Sequence, residues 1–110
     1  MNDLERSTFT KQPCYRYIRA TDKLPTYAQL GDEDFSKILC PVKLFGGPCT
    51  YWIASYDPDT RTAWGVGEIQ EREVGDFSMK ELVDLRLRPF GLPLERDLFY
   101  KPQTIKEILA

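Results

Sequence analysis

The clearest hydrophobic pattern along the chain is a pair of β-rich runs, CTYWIASY and RTAWGVGEI, separated by Asp57-Pro58-Asp59-Thr60. The separator is a type I turn signal with proline at its second position, and it predicts a hairpin over residues 49–69. With Tyr56 opposite Arg61, Ile53 falls opposite Trp64. Ile53, Trp64 and Val66 then share one face. The other face carries Trp52, Ala54 and Tyr56 against Ala63, Gly65 and Gly67. The two glycines leave room for the Trp52 ring to lie across the neighbouring backbone. Tryptophans on a small sheet serve as core, or as an open platform for a base or a peptide.

Before the hairpin, residues 38–45 are apolar except Lys43, with Val42 and Leu44 on one face and Lys43 and Phe45 on the other. Pro41 cannot donate a ladder hydrogen bond, so this strand lies at an edge or starts at Val42. Gly46-Gly47-Pro48 lacks the lysine and hydroxyl of a phosphate-binding loop and reads as a hairpin connection.

After the hairpin, residues 70–76 read as an acidic connector. Ser78 and Glu81 have capping-box spacing, and Phe77 with Leu82 fits a hydrophobic staple, which predicts a helix from Ser78 to about Leu87. Pro89 stops it. Phe90-Gly91-Leu92-Pro93 is a turn. Residues 94–100 then alternate, with Leu94, Arg96 and Leu98 against Glu95, Asp97 and Phe99, as a strand that Pro102 ends. Thr104 is placed to cap a terminal helix, TIKEILA.

The segment before the first strand is less regular. Pro25, and Gly31 followed by Asp32-Glu33-Asp34, mark turns. Residues 1–23 read as an N-terminal leader, loosely attached or contributing an edge strand through residues 14–19. The expected fold is a single α+β domain over residues 24–110. It has a small antiparallel sheet of about four strands, a capped helix after the central hairpin, and a short C-terminal helix.

Composition narrows the chemistry. The 110 residues suffice for one core, and a net charge of −2 gives no general attraction to nucleic acid or anionic lipid. No apolar run reaches the length of a membrane span, and MNDLERSTFTKQ lacks the apolar centre of a secretory signal. Cys14, Cys40 and Cys49 are odd in number and scattered, so free thiols in a reducing cytoplasm are expected. Histidine is absent, which removes Ser-His-Asp and Cys-His nucleophiles and every histidine-ligated zinc site. No cofactor and no metal site is expected.

Three candidate surfaces remain. The acidic residues Asp32, Glu33, Asp34, Glu68, Glu71, Glu73 and Asp76 are candidates for binding a protein partner, or simply maintain solubility. Glu95 and Asp97 lie on one strand face, where two carboxylates with Tyr100 nearby are the alternative, enzymatic centre; the plainer reading is an ion pair. Arg86, Arg88, Lys101 and Lys106 beside aromatics suggest a nucleic-acid accessory module, which the overall charge disfavours.

Several stretches together carry a resemblance. Lys43-Leu44-Phe45, Trp52, Tyr56-Asp57, Gly75-Asp76-Phe77-Ser78, Glu81-Leu82, and Gly91-Leu92-Pro93 with Glu95-Arg96-Asp97 resemble the motifs of domain-of-unknown-function family 2958, from about Leu24 onward. The long closing motif is the most specific of these. Where that family often has a second tryptophan, this chain has Thr50 or Tyr51. The resemblance implies a small protein of a phage, plasmid or integrated element and supplies no catalytic residues. The expected function is therefore a small acidic, non-enzymatic protein that binds another protein. The target would be a host defence or nucleic-acid-processing system, such as a nuclease whose basic groove an acidic surface can occupy.

Overall fold

The computed structural model describes residues 3–9 and 15–110. Among the described residues, nine strands and three short helices follow in order: β1 (Asp3–Arg6), β2 (Arg16–Arg19), a 3-10 turn (Ala20–Asp22), α1 (Tyr27–Leu30), β3 (Leu39–Cys40), β4 (Val42–Gly46), β5 (Cys49–Asp57), β6 (Thr62–Glu68), β7 (Arg72–Ser78), α2 (Met79–Leu82), β8 (Glu95–Arg96), β9 (Gln103–Thr104) and α3 (Ile105–Leu109). The frame is a five-stranded antiparallel sheet in the order β7-β6-β5-β4-β8. Two-stranded sheets, β1-β2 and β3-β9, flank it.

This corrects the α+β expectation. The described residues are 43% strand and 16% helix, so the protein is mostly β. Two segments account for the difference. Residues 70–76, expected as a connector, largely form β7, which pairs along its whole length with β6 from Thr62↔Ser78 to Glu68↔Arg72. The helix expected to reach Leu87 is a single turn ending at Leu82. Ser78 does cap it, accepting a hydrogen bond from the Glu81 amide at 3.3 Å. Val83, Leu85 and Leu87 then pack against the core as extended chain and turns rather than as a helix face. A four-residue run has too few backbone hydrogen bonds to persist without that packing.

The central hairpin forms, with a different register. Asp57 pairs with Thr62, leaving a four-residue loop, and Arg61 adopts a positive φ of 58°. Tyr56 therefore faces Ala63, and Ser55 faces Trp64. An extra residue between Ile53 and Ser55 forms a bulge, after which the in–out alternation of β5 reverses. As a result Ile53, Tyr56 and Ala63 share one face, whereas Trp52, Trp64 and Val66 share the other. Gly65 is required here: a Cβ on it would sit 2.0 Å from the Trp52 carbonyl oxygen. The space at Gly67 is taken by the Phe77 and Tyr51 rings, not by Trp52.

Both faces of the sheet are covered. On one, Val42, Leu44, Ile53 and Tyr56 pack with Tyr17 and Ile18 of β2, Met79 and Leu82 of α2, and Leu94. On the other, Trp52, Ala54 and Val66 pack with Ile38, Cys40, and Ile105 and Ile108 of α3. The Thr104 cap of α3 is complete, with reciprocal bonds to Glu107. α1 was not expected; Thr26 and Gln29 make the same reciprocal pair at its start.

Candidate functional site

The sheet ends at β8, and its surroundings hold the residues with the most exposed apolar surface. Phe45 pairs with Glu95 and Leu44 with Arg96, after which the Asp97 amide donates to the Lys43 carbonyl at 3.0 Å. The strand stops there, two residues long, where a longer strand over residues 94–100 was expected. Its edge continues as a turn: the Asp97 carboxylate accepts from the Phe99 amide at 3.0 Å. That turn holds Leu98 and Phe99 out of the core, at 70% and 93% exposure. A cleft of about 490 Å³ lies beside them, between this edge and the end of the N-terminal hairpin. Tyr15, Arg16 and Arg19 form one wall, and Phe45 with residues 95–99 the other. Phe90 and Leu92, also exposed, line a second, smaller hollow that shares Glu95 with this cleft.

Arg16, Arg96 and Asp97 of the cleft are in ion pairs, Arg16 with Asp3 at 3.3 Å. Arg96 makes two short bonds to the Asp22 carboxylate, and its Nη1 also reaches the Tyr17 carbonyl at 3.3 Å. Burial opposes ionisation of Asp22, but the hydrogen bonds from Arg96 and the Arg19 amide, with the charges of both arginines, outweigh it and hold its carboxyl below the usual range. Asp97 lies 3.6 Å from Lys43, which in turn sits over the Trp52 and Tyr100 rings. Burial, then the neighbouring Glu95 carboxylate, raises the Tyr15 phenol. Arg19 brings a buried Nε with no hydrogen-bond partner among the described residues.

Tyr100, considered with Glu95 and Asp97 as a reacting group, is a structural latch. Its hydroxyl donates to the Cys40 carbonyl at 2.7 Å and accepts from the Gln103 amide at 3.0 Å, and burial above all pushes its pKa up to about 12. The basic residues do not form one patch. Arg86 donates to the Thr8 hydroxyl and stacks over Phe9, beside the elements that cover one sheet face, while Lys106 belongs to α3 over the other.

The acidic candidates are dispersed. Asp32, Glu33 and Asp34 are exposed in the loop after α1. Glu71 is exposed at the β6–β7 turn and Glu73 is exposed in β7, whereas Glu68 is paired with Arg72 at 3.0 Å. Glu73 and Asp76 belong to β7, an edge strand, where charges discourage pairing with a second chain. Asp76 is the one of the seven that faces an aromatic partner, Trp64.

Sequence reading missed two anchors of the N-terminal segment. Glu5, buried in β1, accepts from Arg61 Nε at 3.0 Å and Nη2 at 2.7 Å and from the Tyr56 hydroxyl. Asp22 is the other. Tyr17 adds a bond from its buried hydroxyl to the Leu94 carbonyl at 2.7 Å. The expected leader thus holds β1 and β2, which pair with each other and not with the edge of the main sheet. Cys40 and Cys49 are buried free thiols; Cys14 lies outside the described residues.

Fold and clefts together define a small, mostly β protein with both sheet faces covered and an aromatic surface at one edge. The chain belongs to the family described as proteins of unknown function, DUF2958, whose model matches residues 18–107. The match begins before Leu24 and takes in Asp22, but not Glu5. No curated protein and no solved structure matches. No helix among the described residues is long and apolar enough to cross a membrane.

Proposed function

We propose that this chain is a non-enzymatic protein of a mobile genetic element that acts in the cytoplasm by docking a protein partner onto the β8 edge. The observation that carries this reading is the exposure of Leu98 and Phe99 beside a preformed cleft. Large apolar side chains cost about 1.5–3 kcal/mol each in burial energy left unused. A contiguous set of them, rimmed by charge, is characteristic of an interaction surface. The turn that displays them is fixed by Asp97 and is not a loose loop. Arg19 on the facing wall, whose Nε has no hydrogen-bond partner among the described residues, suits a partner that brings a carboxylate beside its own apolar anchor.

The target we favour is a host defence or nucleic-acid-processing protein. The net negative charge and the exposed Asp32, Glu33, Asp34, Glu71 and Glu73 support approach to a basic surface, acting on encounter rate more than on final affinity. The family resemblance supports the mobile-element setting. Capture of host proteins on the immobilised wild-type chain, against a chain carrying Leu98→Ser and Phe99→Ser, tests the reading. Both positions are exposed, so the variant should melt as the wild type does and lose the captured protein. A variant that retains it would remove the β8 edge from the account.

A further inference from the structure

A second cleft lies at the turn end of the central hairpin, and its chemistry differs from that of the β8 edge. Cross-strand register places Ser55, Trp64 and Asp76 side by side on adjacent strands, with Asp57 opposite Thr62 next along the same face. The bulge in β5 is what brings Ser55 to this position, since regular alternation from Ile53 would have placed Ala54 opposite Trp64. Tyr27, the first residue of α1, closes one side with its ring edge-on to Trp64 at 5.1 Å. The space enclosed is about 660 Å³.

Three carboxylates, Asp57, Asp59 and Asp76, line this cleft, and none of them is in an ion pair among the described residues. No basic side chain is among the described residues that line it. Ser55 is 2% exposed, lines the cleft, and its hydroxyl has no hydrogen-bond partner among the described residues. The Asp57 carboxylate accepts from the Asp59 amide at 2.9 Å, and the three carboxylates have no cation among the described residues. Together with a serine hydroxyl lining the cleft and two ring systems, they call for a ligand that donates several hydrogen bonds, carries positive charge and is flat enough to lie on an aromatic face.

The geometry points to an arginine side chain, presented by a basic segment of a partner protein, as the occupant. A guanidinium donates five N–H bonds in a plane, enough for a bidentate grip on one aspartate with a further bond to Ser55. Its face stacks on tryptophan or tyrosine, and desolvation strengthens that contact. Lysine offers a point charge without the planar fork, so the site favours arginine over lysine. This site is independent of the β8 edge, and its failure would leave that reading standing.

The test is titration of the full chain with a short capped peptide of alternating glycine and arginine, followed by the Trp64 indole N–H resonance. The control peptide carries citrulline, which keeps the shape and loses the charge. The Trp64 signal should shift with the arginine peptide and stay in place with the citrulline one. Asp59→Asn and Asp76→Asn should each weaken binding roughly tenfold, the loss of one charge-assisted hydrogen bond. Glu33→Gln removes the same charge outside the cleft and should leave affinity unchanged. An unmoved Trp64 signal, equal binding of the citrulline peptide, or an equal loss with Glu33→Gln would each overturn the proposal.

Discussion

Arg96 and Asp22 form a fork-on-fork ion pair, Nη1–Oδ2 at 2.6 Å and Nη2–Oδ1 at 2.8 Å, with side chains only 14% and 11% exposed. The pair ties β8 to the turn that follows β2, so it fixes one side of the proposed docking cleft to the other. Removing one partner strands a charge in a largely dry site, a loss of about 3–5 kcal/mol. Asp97 is more exposed and its contact with Lys43 is longer; an ion pair of that kind contributes about 0–1 kcal/mol. Arg96→Ala should therefore lower stability in urea melts far more than Asp97→Ala. Equal losses would show that the fork carries no special weight.

The same pair makes stability depend on acid. Asp22 has a folded pKa below its ordinary 3.8, so it holds fewer protons in the folded than in the unfolded state. Its contribution is fully present above that ordinary value and is lost as pH falls through the lower folded value. Denaturant melts from pH 5 down to about pH 2 should show a stability decrease that Asp22→Asn flattens. A variant as acid-sensitive as the wild type would assign the effect to other carboxylates.

Glu5 holds the N-terminal hairpin against the central one through Arg61 and Tyr56. Glu5→Ala leaves the buried Tyr56 hydroxyl without its acceptor. The melting temperature should fall, and amide exchange in β1 and β2 should quicken before that in β5 and β6. Unchanged exchange in β1 and β2 would mean that Tyr17, Ile18 and the Asp22–Arg96 pair suffice to anchor the hairpin.

The thiols give a test of compartment and core together. Burial pushes Cys40 up to about 12, so thiolate is scarce at neutral pH and the buried group is out of reach. Native protein should leave Cys40 unlabelled by a thiol reagent. Unfolded without reductant, the chain should label at all 3 cysteines. A deficit of two would reveal a disulfide.

Local rules read the hairpin, the Ser78 and Thr104 caps and the turn before β8 because each depends on residues a few positions apart; the Thr26 cap of α1, just as local, was missed. Register escaped them. The proline turn at Pro58 was legible, but the positive φ at Arg61 and the extra residue in β5 were not, and together they exchanged the partners of Trp52 and Tyr56. β7 was hidden by its charges, although Val74 and Asp76 against Gly75 and Phe77 alternate as a strand does. Nothing local links Arg96 to Asp22, 74 residues away, just as nothing links Glu5 to Arg61 across 56. Such contacts exist only once the sheet has closed. The clefts share that origin: the β8 wall and the Ser55–Trp64–Asp76 row are each assembled from separate strands.

The most direct measurement of the central claim is amide hydrogen exchange on the chain with its captured partner bound, compared with the free chain. Docking at the β8 edge predicts slowed exchange at Leu98 and Phe99 and on the facing wall at Arg16 and Arg19. Slowing elsewhere, with residues 95–99 unchanged, would contradict it.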